Sequence, residues 1–229
     1  MVKEGENLER HVLVVFPHPD DETLAVGGAI AYHAHAGSPI TYACFTLGQM
    51  GRNMGKPFFA NRETLPVIRE KELREASAIL GIGDLRLLGF RDKTLEFEDP
   101  ELLIKVITGL IEELRPSLII TYYPGHSVHP DHEALAKATV EAVRRLPAAQ
   151  RPRMHCQAFS KNHTSVLGER DVILDTSEVW ETRYLAIKAH KSQTAIRIGQ
   201  IEKALSGNPE ERERMIHSLS QEGLYSYRV

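Results

Sequence analysis

The chain has 229 residues, of which 42% are hydrophobic and 26% charged, and its formal net charge at pH 7 is −3. This length suits one α/β domain, so we expect a single domain over residues 1–229. The slightly acidic balance argues against a nucleic-acid-binding surface, which needs a basic patch. No apolar run approaches the roughly 18–20 residues of a membrane span, and Met1–Arg10 is too polar for a signal peptide. We therefore expect a cytoplasmic protein, with Cys44 and Cys156 as buried free thiols.

The first part of the chain begins a regular alternation of strands and helices. Val12–Phe16 is a short apolar, β-branched run of the kind that a buried parallel strand needs. Apolar residues at helical spacing follow over 23–36, and Pro39–Phe45 reads as the second strand. The segment Thr46–Asn61 has no regular pattern, and irregular loops of that length are usually functional. Since it follows a strand, we expect this loop to face the substrate.

The same patterns continue along the rest of the chain. Further helices are predicted over 63–80, 99–114, 133–146, 176–189 and 200–220, the last broken by Gly207-Asn-Pro209. Further strands are predicted over 85–88, 117–122, 154–159 and 172–174. This alternation predicts a Rossmann-like, doubly wound, mostly parallel sheet. The carboxyl ends of its strands would share one edge, where we expect the active site.

Two groups of potential metal ligands lie after predicted strands. The first follows strand 12–16 and consists of His18, Asp20, Asp21 and Glu22. The second follows strand 117–122 and consists of His126, His129 and His132. Carboxylates this close together repel one another unless a cation lies among them. Catalytic zinc takes three ligands of these types and keeps one position for water, so the two groups together predict a metal site.

Longer motifs around these residues resemble a known family. Pro17-His-Pro-Asp-Asp-Glu22 with His129-Pro-Asp-His132 resembles the LmbE/PIG-L-like zinc-dependent N-deacetylases, which act on N-acetylglucosamine conjugates. The resemblance continues, in the family's order, through 46–51, 69–72, 80–81, 89–92 and 190–193, and so covers most of the chain. Its size and the loop Gly48–Gly55 are most similar to the deacetylases of bacillithiol biosynthesis, which act on N-acetylglucosaminyl malate.

The resemblance implies a role for each residue of the two motifs. The implied zinc ligands are His18, Asp21 and His132. Asp20 matches the family's general base, His129 the cation that faces the developing oxyanion, and Asp131 a carboxylate that tunes His129. The chemistry supports these roles, because zinc lowers the pKa of a bound water from 15.7 to about 7 and Asp20 is placed to accept its proton. Fe²⁺ suits the same ligands, so the identity of the metal stays open.

Four further side chains are candidates for substrate contact, namely Gln49, Arg52, Arg69 and Asp92. The two arginines suit the carboxylates of a malate aglycone, although either of them can instead pair with a glutamate. Asp92 suits sugar hydroxyls, or simply stabilises a turn. Gln49 stands where the family often has an acidic residue, and Ser127 where some relatives carry a tyrosine, so these two contacts stay open. The roles of His126, His190 and Glu22 stay open as well.

The leading hypothesis is a zinc-dependent hydrolase that removes the N-acetyl group from an N-acetylglucosaminyl conjugate, with N-acetylglucosaminyl malate as the preferred substrate. One alternative keeps the metal and cleaves another amide, in N-acetylglucosamine, chitooligosaccharides or thiol S-conjugates. The other alternative is a metal-binding or sugar-binding module without activity, against which Asp20 argues, because a binding site needs no base. Relatives form trimers and hexamers, so the resemblance also implies a homo-oligomer.

Overall fold

The computed structural model describes residues 8–229. Its strands are β1 (Val12–Phe16), β2 (Ile40–Thr46), β3 (Asp84–Phe90), β4 (Leu118–Tyr122), β5 (Arg153–Gln157), β6 (Val172–Asp175) and β7 (Gln221–Ser226). Its helices are α1 (Asp21–His35), α2 (Leu65–Leu80), α3 (Pro100–Leu114), α4 (Pro130–Arg144), α5 (His163–Leu167), α6 (Trp180–Ala189), α7 (Lys191–Leu205) and α8 (Pro209–Leu219). Residues 1–7 lie outside the described residues. They belong to the segment Met1–Arg10, which we do not expect to be a signal peptide. Within the described part no helix is both long and apolar enough to cross a membrane.

The seven strands form one sheet in the order β3-β2-β1-β4-β5-β7-β6. Strands β1 to β5 pair in parallel, and β7 is antiparallel to both of its neighbours, β5 and β6. The prediction of a doubly wound, mostly parallel sheet is therefore confirmed. Strand order reverses between β1 and β4, and open α/β sheets bind ligands in the crevice at such a reversal.

Strand β1 lies at the centre of the sheet and contributes to two separate cores. Its residues Val12, Val14 and Phe16 pack on the face covered by α1, α2 and α6. Leu13 and Val15 pack on the opposite face, against α3 and α4. All five side chains are fully buried, which explains why this strand is apolar throughout rather than alternating.

Two helices that follow central strands begin earlier than the sequence predicts. Helix α1 begins at Asp21 instead of 23, and α4 begins at Pro130 instead of 133. Carboxylates in a first turn complement the helix dipole, and proline is favoured at the first helical position. As a result Asp21 and His132 lie in first helical turns, whose geometry fixes their direction.

The C-terminal part departs most from the predicted pattern. The predicted break at Gly207-Asn-Pro209 separates α7 from α8, and Asn208 caps α8 through a reciprocal pair of hydrogen bonds with Glu211. However, α7 begins already at Lys191 instead of 200. Strand β7 and the short helix α5 were not predicted. The interior of β7 is poor in apolar residues, with Leu224 and Tyr225 as its buried hydrophobic side chains, so its sequence carries little strand pattern.

Candidate active site

Three side chains at the β1/β4 crevice bring their donor atoms together. His18 follows β1, Asp21 lies in α1, and His132 lies in α4. Nδ1 of His18 is 3.2 Å from Nε2 of His132, and the Asp21 oxygens lie 3.3 and 3.5 Å from these two nitrogens. Donor atoms bound tetrahedrally at about 2.0–2.1 Å from zinc are about 3.3–3.4 Å apart. These separations, in which Oδ2 of Asp21 faces His18 and Oδ1 faces His132, are close to those around a tetrahedral metal ion.

The contacts around Asp21 and His132 hold the Asp21 carboxylate in place and keep the His132 imidazole neutral, which is the state that a metal ion would require. The Tyr122 hydroxyl donates to Oδ1 of Asp21 at 2.7 Å, and the Tyr122 ring stacks on the His132 ring at 4.1 Å. Nδ1 of His132 lies 3.2 Å from the Ser127 carbonyl oxygen, so it carries the proton and leaves the Nε2 lone pair free. Burial also lowers the pKa of His132, which favours the neutral imidazole.

The second nitrogen of His18 contacts two carboxylates. Its Nε2 lies 3.1 Å from both Oδ2 of Asp131 and Oδ1 of Asp92. Burial lowers the pKa of His18, but hydrogen bonds to Asp131, Asp21 and Asp92 outweigh it and raise that pKa well above its usual value. A histidine that binds a metal through one nitrogen commonly donates the other N–H to a carboxylate, which orients the ring. The contacts of His18 follow this arrangement.

Two carboxylates with other expected roles contact His18 and also border the cavity. Asp131 was expected to tune His129, yet its carboxylate contacts His18 and accepts the backbone N–H groups of Lys93 and Leu95, because the first turn of α4 directs it into the protein. Asp92 was expected to bind sugar hydroxyls. Its carboxylate instead contacts His18 and accepts the backbone N–H of Met50 at 2.7 Å.

Asp20 lies beside the three donors and is not one of them. Its backbone has φ 91°, a left-handed conformation that is costly for a residue with a side chain. Burial raises its pKa, and although Arg69 opposes this, the value reaches about 6. Nη2 of Arg69 lies 3.2 Å from Oδ2 of Asp20. A carboxylate in this position, next to a potential metal site, can accept a proton from water.

Arg69 was expected to hold a substrate carboxylate, and the structure corrects this. Besides Asp20, its guanidinium donates to the carbonyl oxygens of Gly48 and Pro19, and only 3% of the residue is exposed. Both terminal nitrogens of its guanidinium therefore have internal partners, while Nε has no hydrogen-bond partner among the described residues and the side chain borders the cavity. Its position suits it to orient Asp20.

His129 caps the N-terminus of α4 and faces the same crevice. Its Nδ1 accepts the backbone N–H of Asp131 at 3.2 Å, and its ring meets the His18 ring edge-on. Burial and the neighbouring His18 lower the pKa of His129. An imidazole that accepts a hydrogen bond at Nδ1 is neutral with its proton on Nε2. This contact corrects the expectation of a cation, while Nε2–H stays available as a donor.

The site opens into a cavity of about 900 Å³. The two remaining candidates for substrate contact, Arg52 and Gln49, differ in their position relative to this cavity. Arg52 lines the cavity, is exposed, and has no ion pair or hydrogen bond among residues 8–229. Gln49 does not line it, because Oε1 of Gln49 accepts the backbone N–H of Asp92 at 3.0 Å and so fastens two loops together. Gln49 is thus corrected from a sugar contact to a support of the loop.

Several features of the site were missed or left open by the sequence. Tyr122 and Lys93, which lines the cavity, were not considered, although each lies at or after the carboxyl end of a strand. His126 bonds to Ser160 at 2.7 Å and does not line the cavity. Glu22 and His190 contact each other in the interior at 2.6 Å.

Fold and site together define an α/β protein with a metal-type donor set and a buried carboxylate at the switch point of its sheet. The chain belongs to the PIG-L family: the family model "PIG-L: GlcNAc-PI de-N-acetylase" matches residues 13–143. That range contains both motifs and all three donors, and it ends before β5.

A curated relative agrees with this family, and solved structures share the fold of this chain. A Bacillus cereus protein described as "Probable N-acetyl-alpha-D-glucosaminyl L-malate deacetylase 2" is 58% identical over 82% of this chain and 85% of its own length. The N,N'-diacetylchitobiose deacetylase from Pyrococcus horikoshii superposes with a TM-score of 0.71 at 21% identity, covering 99% of this chain and 87% of the other. The hydratase GalB from Pseudomonas putida also reaches 0.71, at 20% identity, covering 96% and 98%. Because a deacetylase and a hydratase superpose equally well, the fold alone does not specify the reaction.

Proposed function

We propose that this protein is a zinc-dependent N-deacetylase that hydrolyses the acetamido group of N-acetylglucosaminyl malate. The observation that carries the proposal is the set of donor atoms on His18, Asp21 and His132, 3.2–3.5 Å apart, with Asp20 beside them. The name of the Bacillus cereus relative supports the substrate, since the two sequences are 58% identical.

The metal and the protein would divide the chemistry of amide hydrolysis. Zinc held by His18, Asp21 and His132 would lower the pKa of a water from 15.7 to about 7 and would polarise the acetamide carbonyl. Asp20 accepts the proton of the attacking water and later returns it to the leaving amine. Arg69 keeps the Asp20 carboxylate directed at the crevice. His129 donates its Nε2–H to the carbonyl oxygen as that atom gains charge, a contact worth roughly 3–4 kcal/mol.

Arg52 supports an anionic aglycone. It is exposed, lines the cavity, and has no partner among the residues that the structure describes. A guanidinium presents a planar fork of donors that matches a carboxylate, and malate offers such a group. Arg52 is therefore our candidate for the contact that distinguishes the malate conjugate from free N-acetylglucosamine.

The test measures acetate release from N-acetylglucosaminyl malate, N-acetylglucosamine, diacetylchitobiose and a thiol S-conjugate of N-acetylglucosamine. We expect the malate conjugate to be preferred, and activity to vanish with a chelator and return with zinc. Alanine variants of His18, Asp21 and His132 should each purify with much less than one zinc per chain. Chelator-resistant turnover, or full zinc occupancy in any of these variants, would contradict the assignment.

The described chain also supports the proposal of a single domain. Strands β5, β6 and β7 lie beyond the family match, yet they continue the same sheet. Helix α6 shares its core with α1 and α2. A cytoplasmic location and a homo-oligomer stay predictions. Gel filtration with light scattering would measure the oligomeric state.

A further inference from the structure

A buried chain of hydrogen bonds connects the C-terminal part of the protein to Asp20. Nε2 of His190 lies 2.6 Å from Oε1 of Glu22. Oε2 of the same glutamate accepts the backbone N–H of Asp20 at 2.9 Å. The Thr23 hydroxyl donates to Oε1 at 2.6 Å and completes the contacts of the carboxylate. One carboxylate thus joins the His190 side chain to the main chain of the candidate base.

Both members of the central pair are isolated from solvent. The residues Glu22 and His190 are each 0% exposed. Among the described residues Nδ1 of His190 has no hydrogen-bond partner, so Glu22 is the polar contact of this ring. Burying a carboxylate and an imidazole is unfavourable unless each satisfies the other. Simple packing does not need such a pair, because an apolar side chain would fill the same volume.

The position of the pair suggests what it does. Asp20 has φ 91°, a conformation that persists in a residue with a side chain only where its surroundings enforce it. The hydrogen bond from its N–H to Glu22 is such a constraint, and it acts on the main chain, whereas Arg69 acts on the carboxylate. His190 lies at the junction of α6 and α7, where its carbonyl oxygen accepts the N–H groups of Gln193 and Thr194. Its main chain is therefore held by the start of a helix, while its ring is held by Glu22.

We propose that His190, acting through Glu22, is a positioning residue that holds the main chain of Asp20 in the conformation needed for proton transfer. This inference rests on the proposed function, in which Asp20 is the base. It adds to the site a residue that lies 47 positions beyond the end of the family match at residue 143. His190 touches neither substrate nor metal, so its loss should alter turnover more than binding.

The test compares His190→Leu with His190→Gln in the full-length, zinc-loaded enzyme. The Gln side chain places an amide nitrogen near the position of Nε2, whereas Leu offers no donor. We expect kcat for N-acetylglucosaminyl malate to fall roughly 100-fold in the Leu variant, as for a misplacement of about 1 Å, with KM and zinc content nearly unchanged. The Gln variant should recover most of the loss. His155→Leu, at a half-buried histidine of β5 outside the cavity, serves as the control and should keep full activity.

A second measurement does not depend on activity. The Asp20 amide should exchange its hydrogen faster in the Leu variant than in the wild type or the Gln variant, because its acceptor is no longer fixed. Unchanged kcat and exchange in the Leu variant would overturn the inference, as would a Gln variant no better than Leu, or loss of zinc together with activity. If the wild-type enzyme itself has no deacetylase activity, the proposed function fails, whereas amide exchange still reports whether His190 holds Asp20.

Discussion

The two ends of the parallel strands both carry charged residues around a cavity, but they use their charges differently. At the amino ends, a cavity of about 750 Å³ is lined by several arginines whose side chains are occupied. Arg10 donates to the Arg115 carbonyl oxygen, Arg151 donates to three carbonyl oxygens, and Arg153 pairs with Glu9. At the carboxyl ends, the cavity of about 900 Å³ contains carboxylates and imidazoles that face one another.

The difference shows that cavity size does not identify the functional end of this sheet. Three arginines at the amino ends, Arg10, Arg151 and Arg153, donate to carbonyl oxygens and to Glu9, so these side chains already have partners within the protein. At the carboxyl ends, His18, Asp21 and His132 bring together nitrogen and oxygen atoms of the types that bind a metal ion, 3.2–3.5 Å apart. We therefore expect substitutions at the carboxyl ends to alter chemistry, and those at the amino ends to alter stability alone.

The largest effect should come from Asp20→Ala. Loss of a general base typically lowers turnover by about 10²–10⁴-fold, and we expect kcat to fall within this range. Because Asp20 is not among the three donors, zinc content and folding should equal those of the wild type. Metal analysis and steady-state kinetics on the same preparation test both statements. Near-normal turnover would assign the role of base to another group, with Glu22 as the nearest carboxylate in sequence that is not a proposed metal ligand.

The next largest effect should come from Tyr122, which contacts both Asp21 and His132. Tyr122→Phe removes the hydroxyl that donates to Asp21 and keeps the ring that stacks on His132. Loss of such a partner typically lowers metal affinity by about 10–100-fold, and we expect a decrease of this size in competition with a chelator. Turnover at saturating zinc should change less. An affinity equal to the wild type would show that the hydroxyl has no part in holding Asp21 for the metal.

A smaller and more selective effect should follow Arg52→Ala. A hydrogen bond to a charged group contributes roughly 1.5–3 kcal/mol, so KM for N-acetylglucosaminyl malate should rise about 10-fold or more. KM for free N-acetylglucosamine should barely change, and Arg52→Lys should recover part of the loss, since an ammonium cannot bind a carboxylate bidentately. Equal weakening of both substrates would place Arg52 against the sugar or in the support of its loop.

The smallest effect on chemistry should come from the amino ends of the strands. Arg151→Ala removes hydrogen bonds to three main-chain carbonyl oxygens, and we expect the free energy of unfolding to fall by about 1–2 kcal/mol. Urea denaturation measures this loss, while kcat and KM should equal the wild-type values. A change in kcat or KM without a change in the free energy of unfolding would contradict this expectation, because it would show that the amino ends of the strands influence the reaction.

The sequence predicted the central features because they depend on local patterns. Val12–Phe16 is strand β1 with the predicted bounds, and the two motifs predicted that side chains following β1 and β4 meet at one edge. The contacts of Asp131 could not be predicted, because they depend on α4 beginning at Pro130, which turns this carboxylate towards His18. The partners of Glu22 were hidden for a different reason, since His190 approaches from 168 positions along the chain.

The place of β7 in the sheet has a consequence for how the protein is made. Strand β6 pairs with β7, and β7 is its connection to the rest of the sheet. On the ribosome β6 is therefore translated before the strand on which it depends, with three helices between them. The residues His18, Asp21 and His132, in contrast, are all translated before β5. The order of synthesis thus completes the side chains of the proposed metal site first, while the nascent chain still lacks the three strands β5, β6 and β7 that finish its sheet.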